Sequence, residues 1–323
     1  MNLPWLTRAR KRRFAGRLLA DRQSPIGLLD VGAGGTLRSP WALLPVTHLR
    51  KFDFEPEGRR GGIDPAMPSC VSDHNGPGRL FVARDPRSSS LHPACGEFVR
   101  RFANDAIEST RELDVDCVTL DTFFAGRLDS IDAADINAEG HDFRVLDGAK
   151  MFLTDGCVSL LKVEVLFSEV WQGQGWFSDI DQTVRGCGYD LLHLELDFDR
   201  PAAVKGIHHR GELLWGKAFY VPSAATCVAR LTRWQTEAPA TAEDRVLKAI
   251  VLLVMIEALG RAMELIDAAD RLGILRRFTA GQVRELMTKT FRFARLEAGA
   301  RAILEAIDVR PIGRAVARMV VGP

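Results

Sequence analysis

Residues 26–36, with the sequence IGLLDVGAGGT, constrain the fold of this chain more than any other segment. An apolar run that ends around Asp30 passes directly into a glycine turn that contains Gly32 and Gly34. Such a run is typical of a strand that is buried on both faces of a parallel sheet. Glycines at the strand end leave no Cβ between the backbone and a ligand. The segment therefore predicts the first strand and the nucleotide-binding turn of an α/β fold.

A second apolar run, residues 48–54, is followed by Glu55. A carboxylate at the carboxyl end of the second strand can accept hydrogen bonds from the hydroxyls of a ribose. A complete dinucleotide-binding sequence, G-x-G-x-x-G, would need a third glycine where Leu37 stands. Because that glycine is missing, a cofactor with a single nucleoside, such as S-adenosylmethionine, is favoured over NAD. An NAD(P)-dependent oxidoreductase is retained as an alternative.

The composition is that of an ordinary globular protein, with 46% hydrophobic and 26% charged residues and a net charge of +1. So small a net charge gives no global field that would select nucleic acid, and no nucleic-acid partner is expected. The six cysteines are scattered, with no C-x-x-C pair, which predicts reduced thiols, a cytoplasmic location and no metal site. The longest apolar stretch, residues 249–256, is far shorter than the ~20 residues that a transmembrane helix requires.

Apolar runs alternate with helical patterns and turns from residue 26 to about residue 221, which predicts an α/β sheet with an antiparallel region at one edge. One of these runs, residues 115–124, is predicted as a strand that ends near Asp121. Ser39 and Pro40 predict a helix of about one turn, with a serine cap and proline at the first helical position. The organisation expected is a basic helical segment (1–24), a central domain (25–235) and a helical extension (240–323).

In the helical extension, residues 233–241 are predicted as a polar connection and residues 246–272 as one long amphipathic helix. A second helix is expected from Thr279 past Ile303. These helices could cover the binding site, form a homodimer interface or dock a partner, and the sequence leaves the three roles open. The basic N-terminal helix either packs on the domain or makes weak contact with an anionic membrane surface.

Several motifs, in this order along the chain, resemble those of the FkbM-type methyltransferases. The resemblance covers roughly residues 26–221 and implies a Rossmann-like class I methyltransferase sheet. It also implies an S-adenosylmethionine-dependent enzyme of a family that mostly methylates hydroxyl oxygens, here on a small molecule, sugar or glycan. The segments that carry it are LLDVGAGG, FDFEP, SSL at 89–91, TLD ending at Asp121, NAEGHDFRVLDGA, GQGWFSD and GELLWGKAF.

The chain departs from the family in the motif nearest the chemistry. The lysine and aspartate of the family's K-I-D sequence are Asp135 and Asn137 here, and Lys217 replaces an aspartate in the last motif. An acid in place of a lysine, together with a lysine in place of an acid, suggests a swapped ion pair between Asp135 and Lys217. The same departures motivate a second alternative function, a catalytically silent binding or scaffolding subunit.

The cofactor contacts predicted from the sequence follow the strand ends. Asp30 is expected to position the methionine portion, and Glu55 to bind the ribose hydroxyls through charge-assisted hydrogen bonds. Ser72 and Asp73 are expected near the adenine amino group. The remaining predicted contacts are Gly32, Gly34 and Asn137. For each acid or serine, the alternative is an ordinary capping or turn residue.

Methylation of a hydroxyl requires a general base. Asn137 cannot serve, because an amide takes no proton at neutral pH. His141 and Glu139 are the candidates near the carboxyl end of the predicted strand, where ligands bind in open α/β sheets. A surface histidine on the first turn of a helix is the alternative for His141.

Overall fold

The structure is a computed structural model, and it describes residues 4–20, 24–32, 37–54, 69–126 and 131–291. In chain order, its helices and strands are α1 (Pro4–Leu18), β1 (Ile26–Val31), β2 (Leu49–Phe54), β3 (Cys70–Val71), β4 (Gly76–Ala83), α2 (Gly96–Phe102), β5 (Ser109–Val118), α3 (Leu120–Phe123), β6 (Ala133–Ile136), α4 (Asp142–Asp147), α5 (Lys150–Asp155), β7 (Leu160–Leu166), α6 (Phe177–Gly186), β8 (Tyr189–Asp199), β9 (Glu212–Pro222), α7 (Ala224–Glu237), α8 (Pro239–Met255), α9 (Leu259–Arg271) and α10 (Ala280–Phe291).

Six strands form the main sheet in the order β2-β1-β6-β7-β9-β8. The first four strands are mutually parallel, whereas β9 runs antiparallel to both β7 and β8. The predicted parallel sheet with an antiparallel edge is confirmed. The chain leaves β1 for β2 on one side and later returns to β6 on the other side. The sheet therefore has a topological switch point at β1, and in open α/β sheets ligands bind at the carboxyl ends of strands beside such a point.

A separate three-stranded sheet has the order β3-β5-β4. The predicted strand over residues 115–124 is wrong at its end, because β5 stops at Val118. Thr119 caps the short helix that follows by accepting a hydrogen bond from the Thr122 N–H at 3.0 Å. Asp121 therefore lies in a helix, where its carboxylate accepts hydrogen bonds from the N–H groups of Phe152 (2.7 Å) and Met151 (3.1 Å).

Helices cover both faces of the main sheet. Face 1 packs against α1, α7, α8, α9 and α10, and face 2 packs against α3, α4, α5 and α6. Face 2 is apolar along the strands. Face 1 is apolar only at the amino ends of the parallel strands. Toward their carboxyl ends, face 1 carries a set of ionisable side chains that we call the charged row: Asp30, Lys51, Asp53, Asp135, Lys162, Glu164 and Lys217.

The C-terminal helices differ from the prediction at two points. The polar connection expected at 233–241 is instead helical on both sides of one residue: α7 runs to Glu237, α8 begins at Pro239, and only Ala238 separates them. The single long helix expected at 246–272 is broken after Met255. There the Lys11 ammonium donates to the Met255 carbonyl (2.9 Å) and to the Glu257 carboxylate (2.7 Å), and Glu257 adopts a left-handed backbone (φ +62°).

Two further predictions concern chain segments at helix ends. The short helix expected at Ser39–Pro40 is a 3-10 helix, Trp41–Leu43, without a serine cap. The helix expected from Thr279 is α10, and its continuation past Ile303 lies outside the described residues.

The N-terminal helix α1 packs on the C-terminal helices. Phe14, Leu18 and Leu19 are buried, whereas Arg12, Arg13 and Arg17 are exposed. Packing therefore uses the apolar side of α1, and contact with an anionic membrane surface stays a prediction for its basic side. No helix in the described ranges is long and apolar enough to cross a membrane.

One buried ion pair connects the C-terminal helices to the sheet, and we predict that its loss destabilises the fold. Lys248 of α8 donates to the Asp132 carboxylate (3.2 Å), which also accepts a hydrogen bond from the Gly27 N–H (2.8 Å). Lys248→Met leaves that carboxylate buried without its cation, so the free energy of unfolding should fall by about 3 kcal/mol. Burial already raises the pKa of Asp132, so the loss should be greater at pH 8, where the carboxylate is ionised, than at pH 5.

Urea unfolding measures this effect, with Lys289→Met as the matched control. Lys289 lies in an exposed pair with Glu285, and such pairs contribute about 0.5 kcal/mol or less. Equal losses in the two variants would show that the Lys248–Asp132 pair does not anchor the helices.

Candidate functional site

The candidate site is a pocket at the carboxyl ends of β1 and β6, beside the switch point of the sheet. The three-stranded sheet and the segment after β4 form its opposite wall. Residues that line it include Val31, Gly32, Phe54, Cys70, Val71, Leu80, Ser90, Leu91, Asn137, Ala138, Glu139 and His141. The apolar side chains come from the strand ends, from the three-stranded sheet and from Leu91. The polar side chains come from Ser69 and the segment after β4, which includes Arg87, Ser89 and Ser90, and from the segment that follows β6.

Gly32 is required by the close approach of two backbone segments. Its φ is +74°, and a Cβ at this position would lie 2.0 Å from the carbonyl oxygen of Asn137. The Asn137 N–H in turn donates to the carbonyl of Val31 at 3.0 Å. The ends of β1 and β6 are therefore locked together at the pocket wall. Gly34 and Glu55, the other predicted contacts of these first two strands, lie outside the described residues.

A tight corner joins β6 to α4. The buried carboxylate of Asp142 accepts hydrogen bonds from the N–H groups of Ala138 (2.9 Å) and Gly140 (3.1 Å). Glu139, between them, has a left-handed backbone (φ +52°), and Gly140 has φ +88° with the Trp171 ring 2.4 Å from where a Cβ would stand. A non-glycine residue in this conformation is strained, and such strain concentrates at functional sites.

Three carboxyl groups, Glu139, Asp142 and Glu164, lie around the single ammonium of Lys217. Lys217 donates to the Glu164 carboxylate and to the side-chain oxygen of Asn137 (2.5 Å), and the Asn137 amide donates to Glu139 (3.0 Å). Burial, followed by the charges of Glu164 and Asp142, raises the pKa of Glu139 well above its usual range. Burial and Glu164 raise the pKa of Asp142 to about 7. This cluster therefore has more carboxyl groups than local cations.

The predicted ion pair between Asp135 and Lys217 is wrong. Asp135 pairs with Lys162, its neighbour on β7, at 3.0 Å and accepts a hydrogen bond from the Trp41 indole at 2.7 Å. Lys217, on β9, pairs instead with Glu164, its register partner on β7. Asp135 and Lys217, the two residues that depart from the family motif, thus each pair with the residue opposite them on β7. Strand register determines these partners, and the two residues do not pair with each other.

Asp30 lies in the charged row and is absent from the pocket lining. Its carboxylate is 2.8 Å from the Lys51 ammonium, which is also 2.9 Å from Asp53. Burial raises the pKa of Asp30 to about 6, although Lys51 opposes the shift. The structure therefore places this acid beside a lysine behind the pocket wall, and its predicted contact with the methionine portion stays a prediction.

His141 is buried, so the surface-histidine alternative is wrong. Its Nε2 lies 3.0 Å from the Ser72 hydroxyl, and its Nδ1 lies 3.1 Å from Nε2 of His92. Burial, with a smaller contribution from His92, lowers the pKa of His141 to about 3, which keeps the imidazole neutral. The structure thus brings Ser72 and His141 together, 69 residues apart in the chain.

Ser72 and Asp73 form part of a polar network beside the pocket. The Ser72 hydroxyl is 3.0 Å from the Asp73 carboxylate, which is also 2.9 Å from Nδ1 of His74 and 3.2 Å from the Arg144 guanidinium. Burial opposes ionisation of Asp73, but the hydrogen bonds from His74 and Ser72 and the charge of Arg144 lower its pKa overall. Neither residue is in the pocket lining, and their contact with adenine stays a prediction.

Sequence patterns did not identify His92 or Glu164 as residues that shape the site, and they gave Ser90 no role beyond its place in the SSL motif. His92 contacts His141, and the Ser90 hydroxyl donates to the carbonyl of Glu139 at 2.6 Å. Nothing in the local sequence predicts these long-range contacts. Glu164 did carry a signal, because two charged residues, Lys162 and Glu164, alternate with apolar ones in a strand that is buried throughout.

Comparison with known protein families gives one match. Residues 52–191 match the family model described as the methyltransferase FkbM domain. Comparison with curated proteins gives no match. The matched range begins in β2 and ends in β8, and it contains the corner after β6 and the three-stranded sheet. The match identifies an FkbM methyltransferase domain over residues 52–191, and a domain of this kind implies a methyltransferase that uses S-adenosylmethionine.

Proposed function

We propose that this protein transfers a methyl group from S-adenosylmethionine to a hydroxyl oxygen of a small molecule, sugar or glycan. The observation that carries the proposal is the pocket at the switch point, which is lined by Gly32 and by Glu139. Glu139 is one of three carboxyl groups around Lys217, and the other two lie behind the pocket wall. The FkbM domain match supports the methyltransferase activity. The hydroxyl acceptor is inferred from the general base that the pocket offers.

The chemistry of the pocket fits S-adenosylmethionine. That cofactor supplies a methyl group activated by a sulfonium, and it also bears an ammonium group. A buried cluster with excess carboxyl groups suits a ligand that brings positive charge, since buried charges require partners. On the other side, Val71, Leu80 and Leu91 offer an apolar surface for a nucleoside base. We assign Gly32 and Asn137, which line the pocket, to cofactor binding, and we expect Gly34 and Glu55 to complete it.

Glu139 is the better of the two candidates for the general base. It lines the pocket, and its raised pKa favours acceptance of a proton from an attacking hydroxyl. His141 is a weak proton acceptor, because its pKa is lowered to about 3. We therefore assign proton transfer to Glu139. His141 is assigned a positioning role, in which it connects the pocket wall to Ser72 and His92.

Isothermal titration calorimetry with S-adenosylhomocysteine and with NADP⁺ tests the cofactor assignment. We expect S-adenosylhomocysteine to bind with a dissociation constant on the order of micromolar and NADP⁺ to give no heat of binding. Binding of NADP⁺ alone would support the oxidoreductase alternative. Absence of binding by either ligand at millimolar concentration would support the silent scaffolding alternative.

Glu139→Gln tests the assignment of the base. Because the amide cannot take a proton, methyl transfer should fall by about 100-fold or more, as for the loss of other general bases. Affinity for S-adenosylhomocysteine should stay within about threefold, a difference below 1 kcal/mol. The assay follows labelled methyl from S-adenosylmethionine into a panel of sugars and polyhydroxylated small molecules. Exposed Glu169→Gln is the control, and full activity in the Glu139 variant would contradict the assignment.

The low pKa of His141 predicts two measurable properties. By NMR, the His141 Cε1 proton should not titrate between pH 5 and 8, whereas exposed His74, whose pKa is raised by Asp73, should titrate above 6.5. The unfolded chain binds a proton at His141 below pH 6.5 and the folded chain does not. Folding stability from this group is therefore lost as the pH falls from 6.5 toward 3, by about 3 kcal/mol at pH 4.5.

His141→Gln removes this contribution, so its stability should depend less on pH than that of the parent between pH 6.5 and 4.5. Urea unfolding at several pH values gives the two slopes. Parallel slopes, or a His141 resonance that titrates near 6.5, would show that the imidazole is not held neutral by burial.

A further inference from the structure

A second cavity lies at the opposite end of the main sheet from the candidate site. It is enclosed by α7, α8 and α9 and by the residues at the amino end of β7 and the carboxyl end of β9, where Ser159, Val221 and Pro222 contribute. Its volume is about 250 Å³. We call it the helical cavity. The FkbM domain ends before these three helices begin, so the family match assigns no role to this cavity.

The walls of the helical cavity are largely apolar. The apolar side chains come from all three helices and include Val228, Trp234, Ala249, Leu253, Leu265 and Ala268. Val228, on α7, is 50% exposed, which leaves an apolar side chain uncovered at this cavity. Apolar cavities of about 150 Å³ can hold benzene, so this one has room for a molecule of about ten non-hydrogen atoms.

Two residues that line the cavity each carry a buried N–H donor that has no hydrogen-bond partner among the residues that the structure describes. These are Nε of Arg230 and Nε1 of Trp234, whose residues are 4% and 5% exposed. The other guanidinium nitrogens of Arg230 donate to the carbonyls of Val158 and Leu153 and to the Tyr189 hydroxyl. Buried donors are normally satisfied, so two unused donors at one apolar cavity indicate that an acceptor is missing there.

The charged residues of the cavity are mostly cationic. Arg230, Arg261 and Arg271 line it together with a single carboxylate, Glu264, which pairs with Arg261. Within the described ranges, neither Arg230 nor Arg271 has a carboxylate within ion-pair distance. A buried guanidinium without a counter-ion favours an anion, and a carboxylate offers two acceptor oxygens, equal in number to the unused donors.

We propose that the helical cavity binds a small apolar carboxylate, with the acid group toward the arginines and the hydrocarbon portion among α7, α8 and α9. The site is separate from the methyltransferase pocket and does not depend on the proposed function. The arginine charges and the unused N–H donors of Arg230 and Trp234 bind the carboxylate head group, and the apolar walls contact the remainder of the ligand.

Protection of Cys227 from alkylation tests the proposal on the full chain. Cys227 lines the cavity and is half-buried, and Cys95, also half-buried, lies outside it and serves as an internal reference. The probe is octanoate, with octan-1-ol as the uncharged comparison, and peptide mass spectrometry follows the rate of maleimide addition. At ten times the dissociation constant, octanoate should slow alkylation of Cys227 by about tenfold and leave that of Cys95 unchanged. Equal protection of both thiols, or of neither, would overturn the proposal.

Two variants examine the head group and the cavity separately. Arg271→Glu reverses an exposed charge and should weaken octanoate binding at least tenfold, whereas Arg276→Glu, the same change outside the cavity, should not. Ala268→Phe fills the cavity and should abolish protection of Cys227 by octanoate. Binding that survives both Arg271→Glu and Ala268→Phe in folded protein would place the ligand elsewhere and overturn the proposal, as would protection by octan-1-ol equal to that by octanoate.

Discussion

The carboxylate of Asp142 is the contact on which the site depends. It is fully buried, which disfavours its charge, and the N–H groups of Ala138 and Gly140 offset this cost by donating to its two oxygens. The same two bonds force the turn in which Glu139 takes a left-handed backbone, a conformation that costs about 1–2 kcal/mol for an L-residue. The turn is also supported by the His141 N–H, which donates to the Ala138 carbonyl (3.2 Å), and by the Ser90 hydroxyl, which donates to the Glu139 carbonyl. The direction of Glu139 and the depth of His141 therefore depend on these hydrogen bonds.

Face 1 of the sheet has an apolar part and a charged part, which lie at different positions along the strands. Apolar residues at the amino ends, such as Leu28, Ala133 and Leu160, pack against the C-terminal helices. Two residues further along each strand, side chains on the same face are charged, and each finds its partner on the adjacent strand. Interior pairs are screened weakly, so the charged row fixes the electrostatic potential beneath the pocket. The excess of carboxyl groups at the Lys217 end favours a cationic ligand there.

The sequence predicted the features that depend on local periodicity. The apolar runs of β1 and β2 and the alternation of β9 located the strands, and the order of motifs predicted the fold. Partners that depend on register or on long-range packing could not be predicted. Asp135 and Lys217 carry opposite charges, but their strands, β6 and β9, are separated by β7, which supplies a nearer partner to each. The break after Met255 has the same origin, because its closing residue, Lys11, comes from the other end of the chain. The sequence left open a surface position for His141, because His92, which contacts its ring, is 49 positions away in the chain.

The helical cavity and the candidate site lie at opposite ends of one strand, β7. The properties of β7 predict whether a ligand bound at one site affects binding at the other. Ser159 precedes β7 and lines the helical cavity, and Glu164 near its end belongs to the acidic cluster of the candidate site. Coupling between two sites requires an element with two alternative arrangements that both ligands bias. β7 is buried at every position and is bonded to β6 and β9 on its two sides, so it has a single arrangement. A ligand in the helical cavity should therefore stabilise the helices without altering cofactor affinity, because close packing holds the intervening strand fixed.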